Sequence, residues 1–218
     1  MKPGRRGGAP SGRVAPAKHP VGAVAGAGAG AGEVRLIGGQ WKRSKLPVAN
    51  RPGLRPTPDR VRETLFNWLG QDLSDWAVLD AFAGSGALGF EAASRGAGPV
   101  VMLESDPMLV QSLASSAQRL QARSVQVLQA DALVWMGRAA ATPSPAGFDL
   151  IFLDPPFDQD LFEAAWRRAM PLLKPGGWLY LEAPAQWSLE APCLLPHRHL
   201  KAGAVHAHLW KFSPQPAT

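Results

Sequence analysis

Four carboxylates fall at or just beyond the ends of short apolar runs. They are Asp80 in VLDAFAGSGALG, Glu104 in VVMLESD, Asp131 in VLQADAL and Asp154 in IFLDPPFDQD. An acid beside a turn without large side chains can bind a ligand together with the backbone N–H groups of that turn. Ala83, Gly84, Ser85 and Gly86 make such a turn after Asp80. Residues 84–89 also carry the G-x-G-x-x-G spacing of dinucleotide sites, where the turn would meet a pyrophosphate. Asp80 would repel that group, yet it suits a ligand ammonium, directly or through water. This favours a sulfonium amino acid cofactor over NAD. Glu104 offers two acceptor oxygens to the two hydroxyls of a ribose, which fits either cofactor. Asp131 can accept from an adenine amino group while the Ala132 N–H donates to a ring nitrogen. It can equally be a plain helix cap.

The fourth corner has the most specific chemistry. Ile151, Phe152 and Leu153 read as a buried strand, and Asp154-Pro155-Pro156-Phe157 stops it. Prolines fix φ and cannot donate to a sheet ladder. The Asp154 carboxylate and the Pro155 carbonyl thus become two rigid acceptors able to hold an exocyclic N–H₂. Phe157 can stack on the ring that bears it. A nucleobase amine is a poor nucleophile because its lone pair is delocalised into the ring. Two acceptors on its hydrogens orient it and turn that lone pair towards an activated methyl, so catalysis is chiefly positioning and electrostatics. The target base must leave its stack, or lie in a loop, to enter such a pocket.

The surrounding pattern supplies a frame. Strands are expected at 77–81, 100–104, 125–128, 149–153, 178–182 and 204–212. Helices are expected at 87–95, 107–121, 133–139 and 161–173, the last stopped by Lys174-Pro175-Gly176-Gly177. Such β-α alternation means a doubly wound, Rossmann-like α/β sheet with helices on both faces. Its ligands sit beyond the carboxyl ends of the strands. Ahead of it, TPDRVRETLFNWLG at 57–70 reads as a helix with Thr57 as cap, Pro58 in the first position and a core stripe of Val61, Leu65 and Leu69. Residues 33–49 read as a β-hairpin turning at Gly38-Gly39. Trp41, Lys42, Arg43 and Lys45 follow that turn, an aromatic among cations that suits RNA. Taken alone, Trp41 is equally a packed surface ring.

Residues 1–62 hold 13 Lys and Arg against 2 acids, whereas the remainder is net negative. A basic front end on a mildly acidic body suits a polyanionic partner. Residues 1–32 are Gly, Ala, Pro and basic residues, a composition expected to stay disordered. Cys193 is the sole cysteine, so no disulfide forms within the chain and a reducing compartment is expected. No apolar run is long enough to span a membrane. His197, His199, His206 and His208 share strand spacing but have no recognised ligand pattern around them, so no metal is expected. Trp166, Trp178, Trp187 and Trp210 read as core or rim packing.

Asp80 to Gly86, Glu104, Asp131 and Asp154 to Phe157 together resemble the successive motifs of class I S-adenosylmethionine-dependent methyltransferases acting on amino groups. RLIGGQWKRSKLPV, LRPTPDRVRETLFNWL, LDAFAGSGALGFEAASRGA and FLDPPF resemble, more narrowly, the bacterial 16S rRNA guanine-N2 methyltransferase family. The likeness covers residues 33–183 and, more loosely, up to 212. It implies a mostly parallel seven-stranded sheet whose last strand is antiparallel. It divides the chain into a tail (1–32), a front end of hairpin and helix (33–75) and a methyltransferase domain (76–218). It implies that Asp80 and Phe82, Ala83, Gly84, Ser85 and Gly86 line the methionine end of S-adenosylmethionine, with Glu104 at the ribose and Asp131 with Ala132 at the adenine. Asp154, Pro155 and Phe157 would hold the target guanine, and Arg55, Thr57 and Arg60 would border cofactor and substrate. A cytoplasmic monomer acting on 16S rRNA or a small-subunit particle is implied as well. The alternatives are a DNA adenine-N6 methyltransferase, an NAD-dependent oxidoreductase in which residues 154–157 are an inert turn, and a non-catalytic RNA-binding protein. The absence of a separate target-recognition segment and the intact run of strand-end motifs weigh against them.

Overall fold

A computed structural model of the chain describes residues 32–49, 57–142 and 147–214. The basic tail up to residue 31 and Arg55 lie outside the described residues. The expected alternation is present. β1 (Gly32–Arg35) and β2 (Lys45–Val48) form the hairpin, and α1 (Asp59–Leu69) follows. Then come β3 (Val78–Asp80), α2 (Ala87–Ser94), β4 (Val100–Glu104), α3 (Pro107–Arg119), β5 (Val125–Gln129), α4 (Ala132–Ala141) and β6 (Phe148–Leu153). The chain ends with α5 (Phe162–Ala169), a 3₁₀ turn (Met170–Leu172), β7 (Leu173–Ala183), β8 (Leu194–Ala202) and β9 (Val205–Phe212).

The seven-stranded sheet has the order β5-β4-β3-β6-β7-β9-β8. Strands β3 to β7 run parallel, and β9 is antiparallel to both of its neighbours. Strand alternation sends Leu150 and Phe152 to one face and Ile151 and Leu153 to the other. The first face packs under α1, α2, α3 and the hairpin, with Val61, Leu65, Phe66, Phe90 and Leu113 in its core. The second packs under α4 and α5, with Met136, Phe162, Ala165 and Trp166 in its core. Successive strands step outward from β3 to β4 and β5, then the chain crosses to β6. The crevice between β3 and β6 is therefore the switch point at which doubly wound sheets bind ligands. Asp80 closes β3, and Asp154 follows β6 directly.

The structure corrects several expectations. Thr57 does not cap α1: Pro58 holds the cap position with no side-chain bond, and buried Thr57 turns its hydroxyl to Glu182 instead. The hairpin is not a tight Gly38-Gly39 turn: beyond the Gly32–Arg35 and Lys45–Val48 ladder, the Leu36 N–H donates to the Ser44 carbonyl and the Leu36 carbonyl accepts from the Arg43 N–H, and the chain reverses over residues 37–42. Gly39 is needed for another reason. Its φ is +71°, and a Cβ there would lie 1.7 Å from the Ser94 carbonyl oxygen. The α5 helix ends at Ala169, and Lys174-Pro175-Gly176-Gly177 does not separate helix from strand. Those residues belong to β7, accommodated by a register irregularity between Phe148 and Leu150 of β6. The edge strand β8 was not expected at all. Pro196 interrupts its pattern and most of its side chains are exposed, as an edge position tolerates.

A buried ionic knot ties the front end to the sheet. Arg62 and Glu91 are fully buried and pair at 3.3 Å. Glu91 also accepts the backbone N–H groups of Ile37 and Gly38, both at 2.8 Å, and pairs with Arg95. Arg62 further donates to the Arg35 carbonyl at 2.9 Å and the Thr57 carbonyl at 3.3 Å, and pairs with Asp59 at 2.6 Å. Every acceptor of the Glu91 carboxylate is thus occupied by a donor from the hairpin, α1 or α2, which is the condition under which a buried charge is tolerated.

Candidate active site

Asp80 lies close enough to Glu104 and to Asp154 for their charges to interact at the switch point. Asp80 is 2% exposed and its Oδ2 accepts the Gly89 N–H of α2 at 2.9 Å. Burial pushes its carboxyl up to about 7; the Gly89 bond opposes this, and Glu104 and Glu182 add to the rise. The Ala83–Gly86 turn is as tight as its composition implies, with the Gly86 N–H donating to the Ala83 carbonyl at 2.6 Å. Gly86 has φ +79°, and a Cβ on it would press within 2.7 Å of Phe90 and Leu113. Ala83 is buried, whereas Phe82, Gly84 and Ser85 are half-buried along the crevice.

Glu104 is bound back onto this turn. Its Oε2 accepts the Gly84 N–H at 2.9 Å and its Oε1 the Asp106 N–H at 2.8 Å. A carboxylate has about four acceptor positions, so both oxygens retain capacity for ligand hydroxyls. Asp131 is exposed and does cap α4, its Oδ1 accepting the Val134 N–H at 2.8 Å, with Ala132 buried behind it. Asp106 likewise caps α3 through the Met108 N–H.

The corner after β6 is half-buried at Asp154, buried at Pro155 and open at Phe157, which is 40% exposed. The Phe157 ring leans on Phe162 at 6.0 Å, which in turn meets Trp187 at 5.5 Å. One face of an aromatic stack is thereby anchored and the outer ring left accessible. Burial holds the Asp154 carboxyl well above the ordinary range, and the charges of Glu182 and Asp80 raise it further.

Sequence reasoning missed Glu182. Leu153 pairs with Leu181 across parallel strands, so Asp154 and Glu182 stand side by side one step further along. Glu182 is 2% exposed; it accepts the Tyr180 hydroxyl at 2.8 Å and the Thr57 hydroxyl, and Arg62 lies near enough to favour its charge. Burial nevertheless raises its carboxyl. The available signal was its place at the end of WLYLE, a fifth strand end. Arg60 is exposed on α1. At the hairpin, Lys42 and Arg43 are exposed, Lys45 pairs with Glu33 at 2.6 Å, and Trp41 packs against the core. Trp41 is thus half-buried against the core beside exposed cations.

Chemically, this rim gathers Asp80, Glu104, Asp154 and Glu182, and the buried members are raised by desolvation and mutual repulsion. A ligand carrying positive charge would relieve both, whereas a pyrophosphate would aggravate them. The acids gathered here therefore fit a sulfonium and ammonium group.

The family described as conserved hypothetical protein 95 matches residues 34–211. Ribosomal RNA small subunit methyltransferase D of Escherichia coli is 40% identical over 201 residues, 85% of this chain and 93% of that protein. The chain belongs to this family. The protein of the same name from Haemophilus influenzae is 44% identical over 165 residues, covering 74% of this chain and 84% of its own. A solved candidate methyltransferase from Escherichia coli superposes with a TM-score of 0.74 at 38% identity, over 84% of this chain and all of that one. The family fold is the class I Rossmann-like methyltransferase sheet, and the strand order above is this chain's version of it. Every strand-end acid discussed lies within the matched residues.

A histidine group lies at the far edge of the same sheet. Ring nitrogens of His199, His206 and His208 come within 4.8 Å of one another. Their rings stack, and His208 Nε2 accepts the Trp187 N–H at 3.0 Å while its Nδ1 faces the Leu181 carbonyl at 3.4 Å. Burial holds His208 down at about 4. Both of its nitrogens are committed to the backbone, which makes it a packing residue beside Trp210. Trp166 and Trp210 are core residues, and Trp178 and Trp187 pack against the core from the rim.

Proposed function

We propose that the chain is a ribosomal RNA methyltransferase that methylates the exocyclic N2 amine of a guanine in 16S rRNA, using S-adenosylmethionine. The observation that carries this reading is the rigid Asp154-Pro155-Pro156-Phe157 corner beside buried Asp80 at the switch point, in a chain belonging to the methyltransferase family above. When bound, the cofactor supplies a methyl group already activated on a sulfonium. The protein's residues do the rest. Asp80 faces the ammonium, Glu104 the ribose hydroxyls, and Asp131 with the Ala132 N–H the adenine. Phe82 and the Ala83–Gly86 turn shape the floor. Asp154 and the Pro155 carbonyl accept the two amino hydrogens of the target, and Phe157 stacks on its ring. This orients the nitrogen lone pair at the methyl and gives the departing proton an acceptor. Thr57 and Arg60 border the pocket, with Arg55 next to them in sequence. The cations Lys42, Arg43 and Lys45, the Trp41 loop and the basic tail meet the RNA beyond the pocket. The choice of guanine N2 rests on the front-end segments 35–48 and 54–69.

The test is transfer of tritium from labelled cofactor to small-subunit particles and to free 16S rRNA, prepared from a strain lacking this gene, followed by nucleoside mass analysis. N2-methylguanosine is the expected product. Labelled N6-methyladenosine, or no label in either RNA, overturns the reading.

A further inference from the structure

Glu182 has no part in the mechanism above, yet it is the titratable group standing next to Asp154. β6 and β7 are parallel and in register through Leu153 and Leu181, so the two carboxylates leave adjacent strand ends on the same face. That face is the one under α1, where Phe66, Phe152 and Tyr180 pack edge to face at 6.2 and 5.9 Å. Two carboxylates so placed do not ionise independently, and the one with more donors takes the first negative charge. Glu182 has those donors: the Tyr180 hydroxyl at 2.8 Å, the Thr57 hydroxyl and the nearby Arg62 guanidinium.

Resting on the methyltransferase reading, we propose that Glu182 is a positioning residue whose ionised carboxylate keeps neighbouring Asp154 basic enough to take the proton lost by the target amine. The balance is simple. The nitrogen–methyl bond forms as the sulfur–methyl bond breaks, and that bond's electron pair stays on sulfur. The N–H bond then breaks, its electron pair returns to nitrogen, and the proton goes to Asp154. With Glu182 already ionised, the pair passes from two negative charges to one, which removes a repulsion at the moment of proton transfer. The other titratable groups facing Asp154 among the described residues are Asp80 from β3 and Tyr180 from β7, while Arg62 of α1 acts on Glu182. β9 sets uncharged Ala207 opposite Glu182. Asp80 acts in the same direction as Glu182, but it stands two residues back along its strand, level with Phe152.

The experiment is the pH profile of single-turnover methyl transfer for wild type, Glu182→Gln and Glu182→Asp. Glutamine keeps the side-chain shape and one acceptor oxygen for the hydroxyl donors but removes the charge. The acid limb of its profile should fall by about one pH unit or more, with a lower plateau, as expected when a like charge is removed from a coupled pair. With cofactor saturating across the profile, aspartate should keep the limb near the wild-type position, and cofactor affinity at pH 7.5, where Asp80 is mostly ionised, should change by no more than about twofold in either variant. A lower plateau with an unmoved limb would mean a merely structural role and overturn the proposal. A reading independent of how well these variants fold comes from ¹³C-carboxyl NMR of the wild-type chain. The aspartate resonance lost in Asp154→Asn should titrate well above the ordinary carboxylate range. Titration in the ordinary range overturns the proposal too. Failure of the wild-type chain to methylate any small-subunit RNA sinks the functional reading; methylation with an unmoved Glu182→Gln limb sinks only this inference.

Discussion

Lowering pH should weaken S-adenosylmethionine binding, and Asp80 should be the cause. Its carboxyl is buried and pushed up to about 7. The ligand ammonium favours the ionised form, so only that fraction of the protein is competent to bind. The ionised fraction is about three quarters at pH 7.5 and about 3% at pH 5.5, given a midpoint near 7. Apparent Kd scales inversely with the competent fraction, so it should rise about 25-fold across this window. The ligand's own α-amino group titrates near 8 and stays mostly protonated below 7.5, so the change belongs to the protein. Calorimetry in two buffers of different ionisation heat should count about one proton released per cofactor bound at pH 6. Asp80→Asn retains an acceptor for the Gly89 N–H but cannot ionise. It should bind weakly at pH 7.5 and lose most of the slope. A flat wild-type Kd between pH 7.5 and 5.5, or an Asp80→Asn slope as steep as wild type, would refute the reasoning.

The same residue should make the cofactor-free protein less stable as pH rises. Its folded pKa lies above the unfolded value of 3.8, so the folded state binds more protons in between and stability falls from about pH 4 to pH 7. Asp80→Asn should therefore raise the melting temperature of the unliganded protein at pH 8, checked by calorimetry with and without cofactor. Asp154→Ala should abolish methyl transfer while leaving cofactor Kd within about threefold, since the proposed function sets Asp154 at the base and Asp80 at the methionine end; wild-type turnover in that variant would contradict its role. Glu91→Ala should destabilise the fold by about 3–5 kcal/mol in denaturant titration, since it strands buried Arg62 and frees the Ile37 and Gly38 N–H groups. Removing residues 1–31 should leave the melting curve intact but flatten the salt dependence of RNA binding. An unchanged slope excludes phosphate contacts by the tail.

The candidate site was legible where its signals are local. Gly84 and Gly86 punctuate one strand end, Pro155 and Pro156 another, Glu104 closes β4, and Asp131 begins the helix after β5. What escaped was decided by long-range contact. Thr57 has the residue type and spacing of a cap, but a buried partner on β7 claimed its hydroxyl; local preference lost to tertiary context. Lys174-Pro175-Gly176-Gly177 has the composition of a stop, yet the chain absorbs it as an irregular strand entry. β8 escaped because an edge strand need not alternate when most of its side chains meet solvent. Glu182 carries no flanking motif, and its significance comes from the register of β7 on β6.

Arg62 shows why these long-range features belong together. One guanidinium pairs with Glu91 under the hairpin, holds the Arg35 and Thr57 carbonyls, and favours the charge on Glu182. Its fully buried position makes any loss of a partner expensive, so the hairpin, the start of α1 and the end of β7 are held as one unit. The front end therefore does two physical jobs. It presents Lys42 and Arg43 to solvent, and through Thr57 and Arg62 it favours the charged form of Glu182. A loop that only gathered RNA would not need a buried arginine reaching the pocket, and a pocket that only bound cofactor would not need Thr57 turned away from its helix.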